Sequence, residues 1–229
     1  MGNLFDVDPK IYVSKTDFVN ILMCPYTFLL KNKVKIHPTE NVVQGTNLHK
    51  IMKRINQIND IERVKKFIEV KMKERSYMKK ELANIIYFLN CRLEDNLDIF
   101  PKYQELKVKM DVGKYVFNGI IDAVYCYKDG FEVFEYKKSF YKQHDDIFLE
   151  TLFYSFVLED FSKTSVRRMG IFSFSTGKVY YKDYNQKDFI PKIDVVINTL
   201  ERNDFSPRNS YENCRICIYR NMCDFSSFR

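Results

Sequence analysis

An aspartate, a glutamate and a lysine on two neighbouring segments are the residues of this sequence best suited to chemistry. Asp122 lies in the first segment, and Glu135 and Lys137 lie two residues apart in the second. Alternate residues of a β-strand share a face, so a hairpin is predicted to place Asp122 opposite Glu135 and Lys137. Two carboxylates and the Tyr136 carbonyl would offer Mg²⁺ or Mn²⁺ the oxygen ligands they prefer. Such a cation activates water for attack on a phosphodiester, and a lysine positions that water or offsets charge.

A solvated ion pair between two strands is the ordinary alternative for this pattern. The apolar surroundings favour the site, because charges embedded in an apolar hairpin are costly unless they are paired or bound to metal. His49 is one of only three histidines and falls early on a predicted helix. A lone helical histidine is more often a surface or core residue than a ligand, so spacing alone does not assign it.

The cysteines predict a second metal centre. Cys214, Cys217 and Cys223 follow one another closely in a short, turn-rich C-terminal segment. Without an export signal such spacing indicates metal or cluster ligation rather than disulfides, and Cys24, beside Pro25, is the natural fourth ligand. Four thiolates hold zinc or an iron–sulfur cluster equally well on spacing alone. The other two cysteines are predicted to be small buried residues: Cys91 on a helix and Cys126 in the hairpin.

Periodicity supplies the elements that must position these residues. Residues 1–13 are predicted to be irregular, and so is the segment 203–229. Helices are predicted over 17–30, capped by Ser14 or Thr16, and over 46–57, opened by Gly45, then over about 60–75, 79–97, 145–160 and 187–202. Strands are predicted from Glu105 to a turn near Gly113, and over 115–127, 131–136, 167–175 and 178–182. This order predicts an α/β fold, with a mixed but mostly antiparallel sheet flanked by helices and an N-terminal helical layer.

The amino-acid composition indicates which kinds of partner the protein could bind. The net charge is +7 and the pI is about 8.9, which suits a polyanion. The chain has 20 Phe and 16 Tyr but no Trp, and aromatic side chains beside lysines could stack on unpaired bases. No apolar run is long enough to cross a membrane and no leader peptide is evident. The sequence therefore predicts an intracellular, cytoplasmic protein without membrane partners.

Taken in order, these parts resemble the iron–sulfur branch of RecB-like nucleases, within the PD-(D/E)xK superfamily, and most of all the CRISPR-associated RecB-like exonuclease family. The match spans nearly the whole chain. Its parts are Cys24-Pro25, residues 45–49, residues 119–122, residues 135–137, the helix around Glu150 and Tyr154, and the three C-terminal cysteines. The usual Gln of that helix is Glu150 here, which puts its contact to DNA or to the active-site lysine in question.

The resemblance implies a restriction-endonuclease-like core at about 45–202 in a single domain spanning 1–229. An iron–sulfur part would be built from about 14–35 and 203–229. It implies one catalytic lysine, Lys137, and three metal ligands: His49, Asp122 and Glu135. It also implies a [4Fe–4S] cluster on Cys24, Cys214, Cys217 and Cys223, and supporting roles for Tyr154, Glu150 and Glu105.

The activity implied is Mn²⁺- or Mg²⁺-dependent cleavage of DNA, from single-stranded 5′ ends and also internally. The setting implied is CRISPR spacer acquisition beside the integrase complex. Three alternatives remain on sequence alone: a viral or stand-alone recombination and repair nuclease, an inactive DNA-binding module with the same cluster, and a zinc-binding adaptor.

Overall fold

The computed structural model describes residues 10–34, 39–139 and 146–227. Within these ranges a single mixed sheet is flanked by helices on both faces. Its strands are β1 Ile11–Ser14, β2 Tyr103–Val112, β3 Tyr115–Tyr127, β4 Gly130–Lys137, β5 Val166–Ser173 and β6 Val179–Asp183. The helices are α1 Lys15–Met23, α2 Tyr26–Lys33, α3 Glu40–Ile58, α4 Ile61–Glu74, α5 Lys79–Glu94, α6 Leu149–Ser162, α7 Ile190–Arg202 and α8 Tyr211–Ile216.

The long strand β3 is the centre of the sheet and has three partners. Strand β2 lies antiparallel to it from Tyr103–Val124 to Val112–Tyr115. Strand β1 pairs with its first part in parallel, and β4 pairs with its last part in antiparallel. Because a strand has two edges and β2 fills one of them, β1 and β4 share the other. Beyond β4, the order continues with β5 in parallel and β6 in antiparallel.

Two apolar cores hold the helices against the sheet. Helices α1, α6 and α7 pack on one face, where Phe18, Phe153 and Val196 are completely buried. Helices α3, α4 and α5 cover the other face, which supplies a second core around Leu48 and Leu82. Both faces of the sheet are therefore covered, as a partly parallel sheet requires.

The predicted mixed, mostly antiparallel sheet with flanking helices is confirmed: β2–β3, β3–β4 and β5–β6 are antiparallel, and β1–β3 and β4–β5 are parallel. The lead predicted to be irregular over 1–13 overlaps β1, and residues 1–9 lie outside the described residues. Only Val13 of β1 is fully buried, so alternation could not reveal so short a strand. The segment predicted to be irregular after residue 203 contains α8.

The predicted helix over 17–30 is two helices. Ser14 caps the first: its side chain accepts the backbone N–H of Asp17, and the Asp17 carboxylate accepts the N–H of Ser14. The break falls at Cys24-Pro25, because the proline ring removes a backbone donor from the ladder. The helix predicted to open at Gly45 begins instead at Glu40, with the glycine in its interior. None of the described helices is long and apolar enough to cross a membrane.

Candidate active site

The predicted catalytic residues meet at a gap in the sheet. The β1–β3 ladder ends at Ser14–Asn118, and the β3–β4 ladder begins at Ala123–Phe134. Between these ladders, β3 residues 119–122 have no partner strand on that edge in the described ranges. The C-terminal ends of β1 and β4 both point into this gap, because β1 runs parallel and β4 antiparallel to β3. We call it the β1–β4 gap.

Asp122 occupies the gap with its side chain. Its Oδ2 accepts the backbone N–H of Tyr136 at 2.7 Å, so a carboxylate replaces the missing strand partner. Its Oδ1 lies 3.3 Å from Nδ1 of His49, which α3 brings in from the helical layer on the second face. Burial alone would lower the pKa of His49, but Asp122, together with Glu135 and the Tyr136 backbone, outweighs that effect and raises it. The structure thus brings the aspartate and the histidine together.

Glu135 lies beside Asp122 and is almost completely buried, with 5% of its surface exposed. Its Oε1 accepts hydrogen bonds from Lys137 Nζ at 2.9 Å and from Lys15 Nζ at 3.4 Å. Its Oε2 is buried and has no hydrogen-bond partner among the described residues. Burial, and then the Asp122 carboxylate, raise the pKa of Glu135 to about 7, against the opposing effect of the two lysines. A buried carboxylate oxygen left without a donor is costly unless a cation binds it.

Glu150 joins the site from the first turn of α6. Its Oε2 accepts from Lys137 Nζ at 2.6 Å and also from Lys15 Nζ. Burial alone would raise the pKa of Glu150, but the two ammonium groups hold it well below its usual range. Its carboxylate therefore stays ionised and holds the lysines in place.

Lys15 was missed from the sequence. It is the first residue of α1 and directly follows Ser14 at the end of β1, which delivers it to the β1–β4 gap. One signal was available, because a cation in the first turn of a helix opposes the helix dipole and is disfavoured there. The ion pairs of Lys15 with Glu135 and Glu150 explain why a lysine occupies this unfavourable position.

The absence of a side chain at Gly119 leaves room for the ring of Tyr154. A Cβ atom on Gly119 would lie 2.5 Å from Cε1 of Tyr154, so the ring packs directly on the β3 backbone. The ring is buried, and Lys15 Nζ lies 5.6 Å from its centroid. Tyr154 therefore fixes how closely α6, and with it Glu150, approaches the gap.

Gly119→Ala should force this contact apart. We expect the free energy of unfolding to fall by about 1–3 kcal/mol, as in other overpacked interiors, and cleavage to fall with it because Glu150 moves. Denaturant unfolding and DNA cleavage measure the two effects. Gly45→Ala is the control: the nearest atom to its Cβ is 3.9 Å away, and alanine favours a helix interior by about 0.5–1 kcal/mol. Equal stability in the two variants would contradict the proposed contact.

Glu105 lies at the rim rather than in the gap. With His49 and Asp122 it lines one small cavity, and its carboxylate is paired with Lys53 Nζ. The β2–β3 register passes from Gln104–Ala123 to Leu106–Ile121. Glu105 is skipped there and adopts a left-handed φ of 45°, which is unusual for a residue other than glycine. This conformation turns its side chain out of the ladder, toward the lysine.

The four predicted cluster ligands also come together. Cys24, Cys214, Cys217 and Cys223 line one cavity between the α1–α2 break and the C-terminal segment. Burial, followed by the other three thiols, raises the pKa of Cys217. The backbone N–H of Arg208 donates to Cys24 Sγ at 3.3 Å.

The two remaining cysteines lie elsewhere. Cys91 is on α5 and Cys126 on β3, and both are half-buried rather than fully buried as predicted. Across residues 10–34, 39–139 and 146–227, no group of three or more His, Cys, Asp or Glu side chains is arranged as a metal-ion site.

The sequence matches the family model of the PD-(D/E)XK nuclease superfamily over residues 12–224. This chain belongs to the PD-(D/E)XK nuclease superfamily. The predicted superfamily is thereby confirmed, and with it the general class of a nuclease. Nucleases of this superfamily use Mg²⁺ or Mn²⁺, which agrees with the predicted cation.

Two solved structures resemble the chain at low identity. One, from Eubacterium rectale, is described as a candidate exonuclease, and has a TM-score of 0.52 at 9% identity over 92% of this chain and 87% of that one. The other is SSO0001, with a TM-score of 0.48 at 15% identity over 96% and 89%. At such identity the Eubacterium rectale structure supports the fold alone. The chain matches none of the curated proteins.

Proposed function

We propose that this superfamily member is a metal-dependent deoxyribonuclease whose reaction takes place at the β1–β4 gap. One observation carries the location: the buried Oε2 of Glu135 has no hydrogen-bond partner among the described residues and lies beside a second carboxylate, Asp122. A divalent cation bound there would supply the missing partner. It would also offset the repulsion from Asp122, which adds to burial in raising the pKa of Glu135.

The donor set fits Mg²⁺ or Mn²⁺. Carboxylate oxygens of Asp122 and Glu135, with the Tyr136 carbonyl, are hard ligands, and the imidazole of His49 is acceptable to Mn²⁺. These four groups are the proposed ligands. The bound cation would polarise a DNA phosphodiester and lower the pKa of a water molecule.

Lys137 supplies the remaining charge. Burial alone would lower its pKa, but Glu135 and Glu150 outweigh burial and raise it, so the side chain is an ammonium at neutral pH. An ammonium donates hydrogen bonds and does not accept a proton. We therefore assign Lys137 to orienting the attacking water and to stabilising negative charge on the phosphate, rather than to general-base catalysis.

We also propose that Cys24, Cys214, Cys217 and Cys223 hold a [4Fe–4S] cluster that joins the two ends of the chain. The support is that all four line one cavity, while Cys91 and Cys126 do not. The C-terminal segment is already tied to the end of α1, because Asn213 Nδ2 donates to the Met23 carbonyl at 2.9 Å. The iron–sulfur part would then be residues 14–35 and 203–229, and the nuclease core residues 45–202, within one domain.

For the substrate we propose single-stranded DNA ends, degraded from 5′ to 3′ with some internal cutting. The ordered motifs shared with CRISPR-associated RecB-like exonucleases support a role in processing DNA fragments before integration, beside the integrase complex. A viral or stand-alone recombination and repair nuclease is the alternative setting, and the neighbouring genes distinguish the two. An inactive DNA-binding module or a zinc adaptor would lack the activity tested next.

The test uses one oligonucleotide sequence in four forms: 5′-labelled, 3′-labelled, annealed to its complement, and circularised. We expect cleavage only with Mn²⁺ or Mg²⁺, faster on single strands. Short 5′-terminal products released first would indicate 5′ to 3′ degradation, and slow cutting of the circle would report internal cleavage. Failure to cleave any form across a Mn²⁺ titration would refute the proposed activity.

A further inference from the structure

A second lysine reaches the proposed active site from a distant part of the chain. Lys15 lies at the start of α1, more than 100 residues before Glu135 and Glu150. Only 19% of its side-chain surface is exposed, compared with 27% for Lys137. Burying an ammonium is costly unless carboxylates surround it, so its contacts define its role.

Lys15 and Lys137 contact the same two oxygen atoms. Both ammonium groups donate to Oε1 of Glu135, and both donate to Oε2 of Glu150. The two lysines and two glutamates thus form a closed ring of four ion pairs, and Glu135 Oε2 lies outside this ring. The ring is neutral in sum, and each glutamate is balanced only when both lysines are present.

The ring joins side chains from three different parts of the fold. Lys15 comes from the junction of β1 and α1, Glu135 and Lys137 come from β4, and Glu150 comes from α6. Without Lys15, Lys137 would be the one ammonium left in the ring for two carboxylates. It would be drawn toward Glu150, and an unbalanced negative charge would face the DNA phosphates.

We propose that Lys15 is a positioning residue of the nuclease site, which balances Glu150 so that Lys137 is held in register with Glu135. This inference rests on the proposed function. It makes Lys15 and Glu150 a coupled pair. The charge of each side chain supports turnover only when the opposite charge of the other side chain is also present. Removing both should therefore cost less than the two single losses predict.

A double-mutant cycle in turnover tests the coupling. We expect Lys15→Met to lower kcat roughly tenfold or more, and Glu150→Gln to lower it by a similar factor, since contacting charged residues couple by about 0.5–3 kcal/mol. The double variant should recover to within roughly fivefold of wild type, because a neutral amide needs no second ammonium. Lys15→Arg, which keeps the charge, should retain more activity than Lys15→Met.

A matched control separates this effect from the loss of any partly buried ion pair. Lys71 lies in α4, a helix that supplies no residue to the proposed site; 27% of its side-chain surface is exposed, and it pairs with Glu74 at 2.6 Å. Lys71→Met should leave kcat within about twofold of wild type, as surface ion pairs contribute little. A loss in Lys71→Met as large as that in Lys15→Met would overturn the specific role of Lys15.

Mn²⁺ binding without DNA provides a readout other than activity. Lys15→Met removes a positive charge but no proposed ligand, so calorimetric titration should show Mn²⁺ affinity equal to wild type or higher, while kcat falls. Glu150→Gln should weaken Mn²⁺ binding, and the double variant should resemble wild type. Loss of Mn²⁺ binding in Lys15→Met would show that the lysine supports the fold of the site rather than the position of Lys137.

Failure of this inference and failure of the proposed function give different results. If wild type cleaves DNA and the two single losses simply add in the double variant, Lys15 is not coupled to Glu150 and the inference is wrong. If wild type binds Mn²⁺ but cleaves no DNA, the proposed function is wrong. Mn²⁺ titration still tests the inference in that case, since loss of Mn²⁺ binding in Lys15→Met would overturn it and retained binding would support it.

Discussion

Lys137→Ala should lower the turnover of DNA cleavage about a hundredfold or more, the loss typical of removing one electrostatic catalytic group. The ammonium is held by Glu135 at 2.9 Å and Glu150 at 2.6 Å, so it is fixed before substrate binds. It is not a proposed metal ligand. Mn²⁺ affinity, measured by calorimetry, and DNA affinity, measured in Ca²⁺ to prevent cleavage, should therefore remain close to wild type.

Removing either carboxylate should give a different pattern. Glu135→Ala and Asp122→Ala should weaken Mn²⁺ binding as well as turnover, because both side chains are proposed ligands. His49→Ala should follow them if its imidazole binds the metal, and should be nearly silent if its only role is the 3.3 Å contact to Asp122. The same Mn²⁺ titration distinguishes the two outcomes.

The control for this series is Lys107→Ala, which removes an exposed strand lysine from β2 of the same sheet. It should leave turnover within about twofold of wild type, as surface substitutions generally do. Wild-type cleavage by both Lys137→Ala and Glu135→Ala would refute the active site proposed at the β1–β4 gap, whatever the cysteines bind.

The parts of the site that lie on one hairpin were predictable, because the hairpin is local. Strand periodicity placed β3 over Tyr115–Tyr127 as observed. The same pattern put Asp122 next to Glu135 and put Glu135 and Lys137 on one face. These predictions depend on spacing within about fifteen residues, and the strand period of two fixes them.

The gap itself was not predictable, since it depends on pairing between distant segments. Strand β1 lies in parallel beside β3, about 100 residues later in the chain, and it is too short for alternation to identify. Lys15 is delivered by that pairing, so it was missed together with the strand.

A buried ion pair was missed for the same reason. The Arg92 guanidinium lies 2.9 Å from the Glu132 carboxylate, and both side chains are almost fully buried. Arg168 completes the pairing from β5. A local sequence pattern predicts that a charged residue lies on the surface. Its burial depends on an ion-pair partner from a distant part of the chain, which the local pattern does not reveal.

The cysteine variants should have the largest effect on the protein as a whole. Cys24 and Cys223 lie about 200 residues apart in sequence, so a cluster that binds both closes nearly the whole chain into one loop. Linking such distant positions removes much of the entropy of the unfolded chain, and binding of a metal centre to the folded state adds to folding free energy. We expect Cys223→Ala to lower the free energy of unfolding by several kcal/mol and the melting temperature by roughly 10 °C.

Cys126→Ala is the matched control, because it removes a half-buried thiol that lies outside the four-cysteine cavity. It should keep the full cluster content and nearly the full melting temperature. Protein purified without oxygen should be yellow-brown, with a broad absorption near roughly 400 nm and matching amounts of iron and sulfide. Each of Cys24→Ala, Cys214→Ala, Cys217→Ala and Cys223→Ala should lose that absorption.

Two results would contradict the cluster assignment in different ways. Zinc in place of iron, in protein protected from oxygen throughout, would retain the ligands but replace the cofactor, since four thiolates accept either. Loss of colour in Cys126→Ala but not in Cys24→Ala would show that the ligand set is wrong. Because Cys24 ends α1 and Lys15 begins it, loss of the cluster should also loosen the helix that positions Lys15. Reduced cleavage in Cys24→Ala with unchanged Mn²⁺ affinity would therefore connect the two centres through α1.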